Sequence, residues 1–186
     1  MSGPREDFAH VYSQHVEDVY GFFGYRVASR HEAEDLTQLT FERALRAWER
    51  FDPRRATART WLIAIARNLL VDHYRRDVPA PAGELPDPGP AASGGAHATD
   101  QNPADSPRLG VSPEVEAALS RLDDRERELI ALRFGGDLNG PEIAELTGLT
   151  LANVQQIMSR SLRRMRAELA EGRQSAEAPQ RSTFDS

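Results

Sequence analysis

Apolar residues recur every three to four positions through most of the chain, the spacing of helices that bury one face. "FAHVYSQHVEDVYGFFGYRV" puts Phe8, Val11, Tyr12, Val16, Val19, Tyr20 and Phe23 on one stripe, with Glu17 and Asp18 on the other face. A second helix is expected from about Arg30 to Arg50, capped by Ser29, with Glu32 as the return half of a capping box. Its inward residues are Ala33, Leu36, Thr40, Phe41, Ala44, Leu45 and Trp48. Asp52-Pro53 in "FDPRRATART" breaks the pattern. Thr60 is the expected cap of a third helix from Trp61 to Arg76, burying Trp61, Leu62, Ile65, Leu69 and Val71 or Tyr74.

Residues 79–111 have no periodicity and are crowded with Pro, Gly, Ala and Ser, so they read as a flexible acidic linker. The helical pattern resumes at Ser112-Pro113 with Val115, Ala118, Leu119 and Leu122. Asp123 and Glu126 form another capping box, ahead of Leu129, Ile130, Leu132 and Phe134, and Gly135-Gly136 ends that helix. Two more helices follow, parted by a turn at Gly148, and the polar tail 173–186 is expected to be disordered. The expectation is an all-α chain of two small helical domains, 6–78 and 112–172, which suits 186 residues that are 39% hydrophobic.

The net charge of −6 argues against general attraction to a polyanion, yet the charge is unevenly distributed. Residues 54–76 carry six Arg against the single Asp72, and residues 151–186 carry six Arg against four acids. Every basic side chain is Arg. Two defined surfaces can therefore engage phosphates while the rest of the chain is acidic. With no cysteine and five scattered histidines, no metal-ligand or thiol motif is present, and no cofactor is expected. No glycine-rich phosphate loop is present either, so no catalytic residue is assigned. No run reaches the roughly 18 residues of a membrane span, and "MSGPREDF" lacks a signal pattern, so no membrane insertion and a cytoplasmic location are expected.

Residues 141–166 have the pattern of a helix-turn-helix. Pro141 opens its first helix, Ile143 and Leu146 bury, Ala144 is small at the crossing, and Gly148 suits a left-handed turn. Leu149 fills the core under the turn and Thr150 caps the second helix, where Val154, Ile157 or Met158, and Leu162 face inward. That leaves Ala152, Asn153, Gln155, Gln156, Ser159 and Arg160 outward, where amides can pair with adenine and Arg with guanine or phosphate. The other basic island couples an Arg/Thr loop to a helix bearing Trp61, Arg67, Asn68, Arg75 and Arg76, a mixture suited to holding unpaired bases. A Trp at a helix start is, however, ordinarily core.

Taken in order, "AEDLTQLTFERALRAWERFD", "TWLIAIARNLLVDHYRR", a linker and "ALSRLDDRERELIALRFGGDLNGPEIAELTGLT" resemble the extracytoplasmic-function sigma factors of bacterial RNA polymerase. The resemblance implies a sigma region 2 bundle over 6–78 and a sigma region 4 helix-turn-helix over 112–172. It implies core RNA polymerase as partner, through the clamp of beta-prime and the flap of beta, with Asp35, Gln38 and Glu42 as the docking face while Leu36, Leu39 or Thr40, and Phe41 hold that helix to its domain. It further implies promoter DNA. The minus-ten element would meet Phe51, Arg54, Arg55, Trp61, Asn68, Arg75 and Arg76; the minus-thirty-five element would meet Thr150, Asn153, Gln155, Gln156, Ser159, Arg160 and Arg163. An anti-sigma factor is expected as inhibitory partner. The chain departs from the family's usual Val-Lys-Ser-Arg run in the recognition helix, having Val154-Gln155-Gln156-Ile157 instead, so two or three positive charges are missing. The alternative is a stand-alone helix-turn-helix regulator that binds duplex DNA without polymerase.

Overall fold

The computed structural model describes residues 4–77 and 112–177. They contain helices α1 (Pro4–Gly24), α2 (Arg30–Ala47), α3 (Ala58–Asp77), α4 (Pro113–Ser120), α5 (Asp124–Ile130), α6 (Gly140–Thr147) and α7 (Leu151–Glu177). A 3₁₀ turn, Trp48–Arg50, follows α2, and a π-helical turn, Ala131–Gly135, continues α5. No strand occurs among the described residues. The expected linker, 79–111, lies outside the described residues, as does the tail beyond residue 177. Residues 173–177, expected to be disordered, instead continue α7.

Helices α1, α2 and α3 close around Val19, Phe22, Phe23, Ala44, Leu62, Ile63 and Ala66, all fully buried. On α2 the buried set is Ala33, Leu36, Thr37, Thr40, Phe41 and Ala44, and the Thr37 and Thr40 hydroxyls each donate to a backbone carbonyl one turn back at 2.7 Å. Leu45 was expected inside but is 51% exposed, because it falls about 100° around the helix from the middle of that arc. Tyr12 likewise leaves the α1 stripe for the surface.

Two caps differ from expectation. The Ser29 hydroxyl accepts from the Glu32 amide at 3.1 Å, but the Glu32 carboxylate meets His73 Nε2 on α3 at 2.5 Å, tying two helices together. Helix α3 starts at Ala58, and Thr57 rather than Thr60 caps it, its hydroxyl accepting from the Thr60 amide at 3.1 Å. Val71 is exposed and Tyr74 is packed inward, its hydroxyl donating to the Arg26 carbonyl at 2.7 Å. Burial is the main cause that raises the Tyr74 pKa, which keeps that hydroxyl a donor at neutral pH.

In the second unit, α4 and α5 pack on α7 through Ala118, Leu119, Leu122, Ile130 and Met165. Asp123 and Glu126 form the expected capping box; Asn139 and Glu142 form a second, unforeseen one at α6. Glu126 also receives Arg164 from α7 at 2.6 Å, and the same Arg164 donates to the Arg121 carbonyl at 2.7 Å. Phe134, expected inside, is 51% exposed. The π turn explains this: its wider ring, closed by the Gly136 amide on the Ala131 carbonyl at 2.8 Å, turns Phe134 out and Gly135 in.

The two units dock directly. Gly21 of α1 meets Gly135 of the π turn so closely that a Cβ on Gly135 would lie 2.5 Å from the Gly21 carbonyl oxygen. Ile63 of α3 packs against Gly136. Around this contact Arg67 pairs with Glu128 at 2.7 Å, Arg59 with Asp137 at 2.8 Å, and the Thr60 hydroxyl donates to Glu142 at 3.1 Å.

Gly148 has φ +69°, and an added Cβ there would touch nothing within 4 Å. Backbone conformation alone should therefore set the penalty of Gly148→Ala, about 1–2 kcal/mol by denaturant unfolding, with Gly148→Asn milder. A neutral Gly148→Ala would show that the turn relaxes out of the left-handed region.

Candidate functional site

Three surfaces carry the sequence-predicted residues. The first is on α2. Asp35, Gln38 and Glu42 are all exposed, and Gln38 donates to Glu42 at 3.3 Å. Beside Gln38 and Glu42 the seam of α1 and α2 opens into a groove of about 600 Å³ lined by Phe8, Tyr12, Val16, Tyr20, Phe41 and Leu45. Glu17, Glu34 and Glu42 rim it. Asp35 lies outside that groove, lining a smaller hollow with His31, Leu39 and His73. The helical pattern hides this groove: Tyr12 and Leu45 sit at the edges of apolar stripes, and only the crossing of α1 and α2 decides which edge residues are covered. An apolar channel with an acidic rim suits an amphipathic helix bearing basic residues.

The second surface is the loop into α3. Asp52 organises it: its side chain accepts from the Arg54 amide at 3.0 Å and its carbonyl from the Arg55 amide at 3.0 Å. Arg54 and Arg55 consequently face solvent. Phe51 stacks on Trp48 with ring centroids 5.0 Å apart, and Trp61 lies 5.0 Å from Phe51 on its own side. Phe51 and Trp61 are thus half-buried partners that pin both ends of the loop, and only part of each ring is open to a base. Asn68 and Arg75 are exposed on α3. The Arg76 side chain lies outside the described residues. Arg59 and Arg67, from the same basic island, are committed to acids, Arg59 to Asp18 of α1 and Asp137 of the second unit, Arg67 to Glu128.

The third surface is the helix-turn-helix of α6 and α7. Gly148 adopts the expected left-handed turn, and the Thr150 hydroxyl accepts from the Asn153 amide at 3.2 Å. Val154, Ser161 and Met165 are buried, with Ile157, Met158 and Leu162 partly so. At about 100° per residue, Asn153, Gln155, Gln156, Ser159, Arg160 and Arg163 fill an arc of about 160° opposite that core. All six, and Thr150 before them, are exposed. The first turn offers amides and the later turns guanidiniums, which is the order needed to read base edges and then hold phosphates. Arg164 does not belong to this face, since Glu126 and the Arg121 carbonyl hold it. Sequence spacing cannot separate it from its neighbour Arg163; only the position of α5 does. Among the described residues no cluster of His, Cys, Asp and Glu could hold a metal ion, and no helix is long and apolar enough to cross a membrane.

A helical unit with an arginine loop, followed by a helix-turn-helix with an open recognition face, defines a DNA-binding protein of two reading surfaces. Comparison with known proteins narrows this. The family model "Sigma-70 region 2" matches residues 11–78 and "Sigma-70, region 4" matches residues 118–167. The chain is 30% identical over 166 residues to the ECF RNA polymerase sigma factor RpoE of Cereibacter sphaeroides, covering 88% of this chain and 86% of that protein. It is 30% identical over 167 residues to the ECF RNA polymerase sigma factor BldN of Streptomyces coelicolor, covering 88% of this chain but only 60% of that protein's length. Similar folds are found in the sigma factor RpoE bound to the anti-sigma factor NepR from Bartonella quintana (TM-score 0.64, 21% identity, 89% of this chain and 98% of that one) and in CnrH bound to the cytosolic domain of CnrY (TM-score 0.54, 20% identity, 94% and 91%). The chain belongs to the extracytoplasmic-function sigma factors of the sigma-70 family.

The two adjacent arginines of α7 should separate experimentally. Arg164→Ala is expected to lower stability by about 1–2 kcal/mol as the Glu126 and Arg121 contacts are lost. Arg163→Ala should change stability by less than about 0.5 kcal/mol and instead reduce the salt slope of DNA binding by about one. Equal destabilisation by both would contradict the assignment.

Proposed function

We propose that this sigma factor, a promoter-specificity subunit that directs RNA polymerase to begin transcription, divides its work between its two units. The first, residues 6–78, docks on core RNA polymerase through the clamp of beta-prime and holds the minus-ten element. The second, residues 112–172, reads the minus-thirty-five element in duplex form and faces the flap of beta. The chain makes no catalytic contribution of its own and works in the cytoplasm, where polymerase and promoters are. An anti-sigma factor is its inhibitory partner; the sigma factor RpoE of similar fold was captured with the anti-sigma factor NepR.

The observation that carries this reading is the exposed arc on α7, whose seven polar and basic residues from Thr150 to Arg163 have no internal task that requires burial. The α2 surface supports the polymerase contact. Gln38 and Glu42 supply polar specificity beside an apolar groove, and Asp35 extends the acidic face. For the minus-ten element, Arg54, Arg55, Arg75 and Arg76 hold phosphates and Asn68 contacts a base taken out of the stack, while Phe51 and Trp61 fix the loop and offer their remaining ring edges. Capturing an unstacked base repays an opening penalty of a few kcal/mol per step, so DNA melting needs no chemistry from the protein. In α7, Gln155 and Gln156 stand where the family commonly has Lys and Ser, trading phosphate charge for amides able to read adenine.

Run-off transcription with core polymerase from a GC-rich bacterium tests the assignment: defined transcripts should appear only when this chain is added. Duplex binding without core polymerase and without transcripts would favour a stand-alone regulator. Asn68→Ala should lower open-complex formation about tenfold or more while holoenzyme assembly stays near wild type; equal loss of both would remove Asn68 from the base pocket. Gln155→Ala should alter base preference at the upstream element, and an unchanged preference would make Gln155 a bystander.

A further inference from the structure

The ring of Trp48 belongs to neither reading surface, yet it sits where the loop of Arg54 and Arg55 joins the body of the first unit. We propose that Trp48 is a positioning residue for capture of the minus-ten strand, touching no DNA itself and acting through Phe51 to hold the loop at a fixed place beside Asn68; this rests on the sigma-factor reading above.

The loop orders itself but does not aim itself. Its hydrogen bonds are local: the Arg54 and Arg55 amides donate to the Asp52 side chain and carbonyl, each at 3.0 Å, the Thr60 amide donates to the Thr57 hydroxyl at 3.1 Å, and the Trp61 amide to the Thr57 carbonyl at 3.0 Å. Pro53 stiffens the tip further by fixing its own φ. Bonds of such short span shape the loop without setting where its guanidiniums stand relative to Asn68.

Rings set that direction. Helix α2 gives way at Ala47 to the 3₁₀ turn Trp48–Arg50, and in such a turn side chains three residues apart lie one above the other. Trp48 and Phe51 are that pair. The Phe51 amide donates to the Trp48 carbonyl at 3.0 Å, and the rings stack with an interplanar angle of 14° and centroids 5.0 Å apart. Phe51 in turn leans on Trp61 at 5.0 Å and Trp48 reaches Trp61 at 6.0 Å, so the three rings close on one another. Phe8, buried in the core, meets Trp48 edge-on at 5.3 Å and 70°, which ties the stack to α1.

This bears on the DNA site because Trp61 and Asn68 share a face of α3. They differ by about 20° around the helix and lie about 10 Å apart along it. Trp61 is thus the fixed end, Phe51 the movable end, and Trp48 the ring that keeps Phe51 against it. A phosphate grip by Arg54 and Arg55 and a base grip by Asn68 act on one strand only if the spacing between them is held, and a small misplacement forfeits much of the gain. Core packing alone would ask for an apolar side chain at position 48 and would accept Leu or Met; a stacking role asks for a flat ring.

The test uses the full-length chain with core RNA polymerase and a fork of duplex and single-stranded DNA from a promoter that run-off transcripts define, with 2-aminopurine at the base proposed to leave the stack. Fluorescence of that base rises when it is unstacked. Trp48→Leu should lower open-complex formation and the 2-aminopurine signal about tenfold, with affinity for core polymerase within about twofold of wild type, and Trp48→Phe should restore both to within about threefold. Trp48→Leu should also reduce the salt slope of fork binding by about one to two as the Arg54 and Arg55 contacts are lost, a change that a smaller folded fraction cannot produce. In a chain already carrying Arg54→Ala and Arg55→Ala, Trp48→Leu should add less than about a twofold loss, because the ring acts through the loop. Trp48→Met serves in the same comparisons if Trp48→Leu does not fold. Full additivity with the two arginine changes, a salt slope unmoved by Trp48→Leu, an equal loss of polymerase binding, or a Trp48→Phe chain as impaired as Trp48→Leu each overturns the proposal. Absence of run-off transcripts with the wild-type chain, or a wild-type signal that Arg54→Ala with Arg55→Ala leaves unchanged, would instead overturn the sigma-factor reading of the loop.

Discussion

The backbones of α1 and the π turn meet at Gly21 and Gly135 with no room for a side chain on either. From this one approach much of the molecule's form follows. It brings Ile63 against Gly136, aligns Arg59, Thr60 and Arg67 of α3 with acids of the second unit, and makes one continuous apolar cluster from Phe8 in α1 to Val154 in α7. The widened π turn makes the approach possible, since a regular α-helical turn would carry Gly135 to a different side. Irregular backbone therefore appears where two units must fit rather than where either folds alone.

Local rules account for most helix ends because each end must satisfy its own backbone groups. Ser29, Asp123 and Thr150 could be identified as caps from their positions before apolar runs, and Gly148 from the turn it had to make. The misses arise where a side chain had two possible employers. Glu32 could return to Ser29 or cross to His73, and tertiary proximity chose His73. Thr60 was the expected cap of the third helix; the helix is longer because Ala58 and Arg59 extend it and the Thr57 hydroxyl accepts from the Thr60 amide at its start. Leu45, Tyr12 and Phe134 are edge residues of their stripes, and periodicity alone does not say how wide the covered arc is.

The surfaces proposed to read DNA were more legible than the one proposed to face polymerase, for a physical reason. A recognition helix is defined locally, by a turn, a cap and an outward arc on one helix, so its residues are named by counting from Gly148. The groove beside Gln38 and Glu42 is made by two helices, and its floor of Phe8, Tyr12 and Phe41 is visible only once α1 and α2 cross. Arginine was the least legible residue type. Arg54 and Arg55 face solvent, Arg59 and Arg67 cross to the second unit, and Arg164 braces α7, yet all read alike as positive charge.

That division of arginines bears on how an acidic protein binds DNA. Attraction to a polyanion depends on local cations that are free to replace counterions, not on the total. In the docked chain the second unit's carboxylates already occupy part of the α3 cation set, so any phosphate must compete with a fixed acid held at short range. Arg59 is held twice over, by Asp18 of its own unit and by Asp137 of the other, and Arg67 by Glu128, so the positive potential of the first unit rests on Arg54 and Arg55 of the loop, which face solvent.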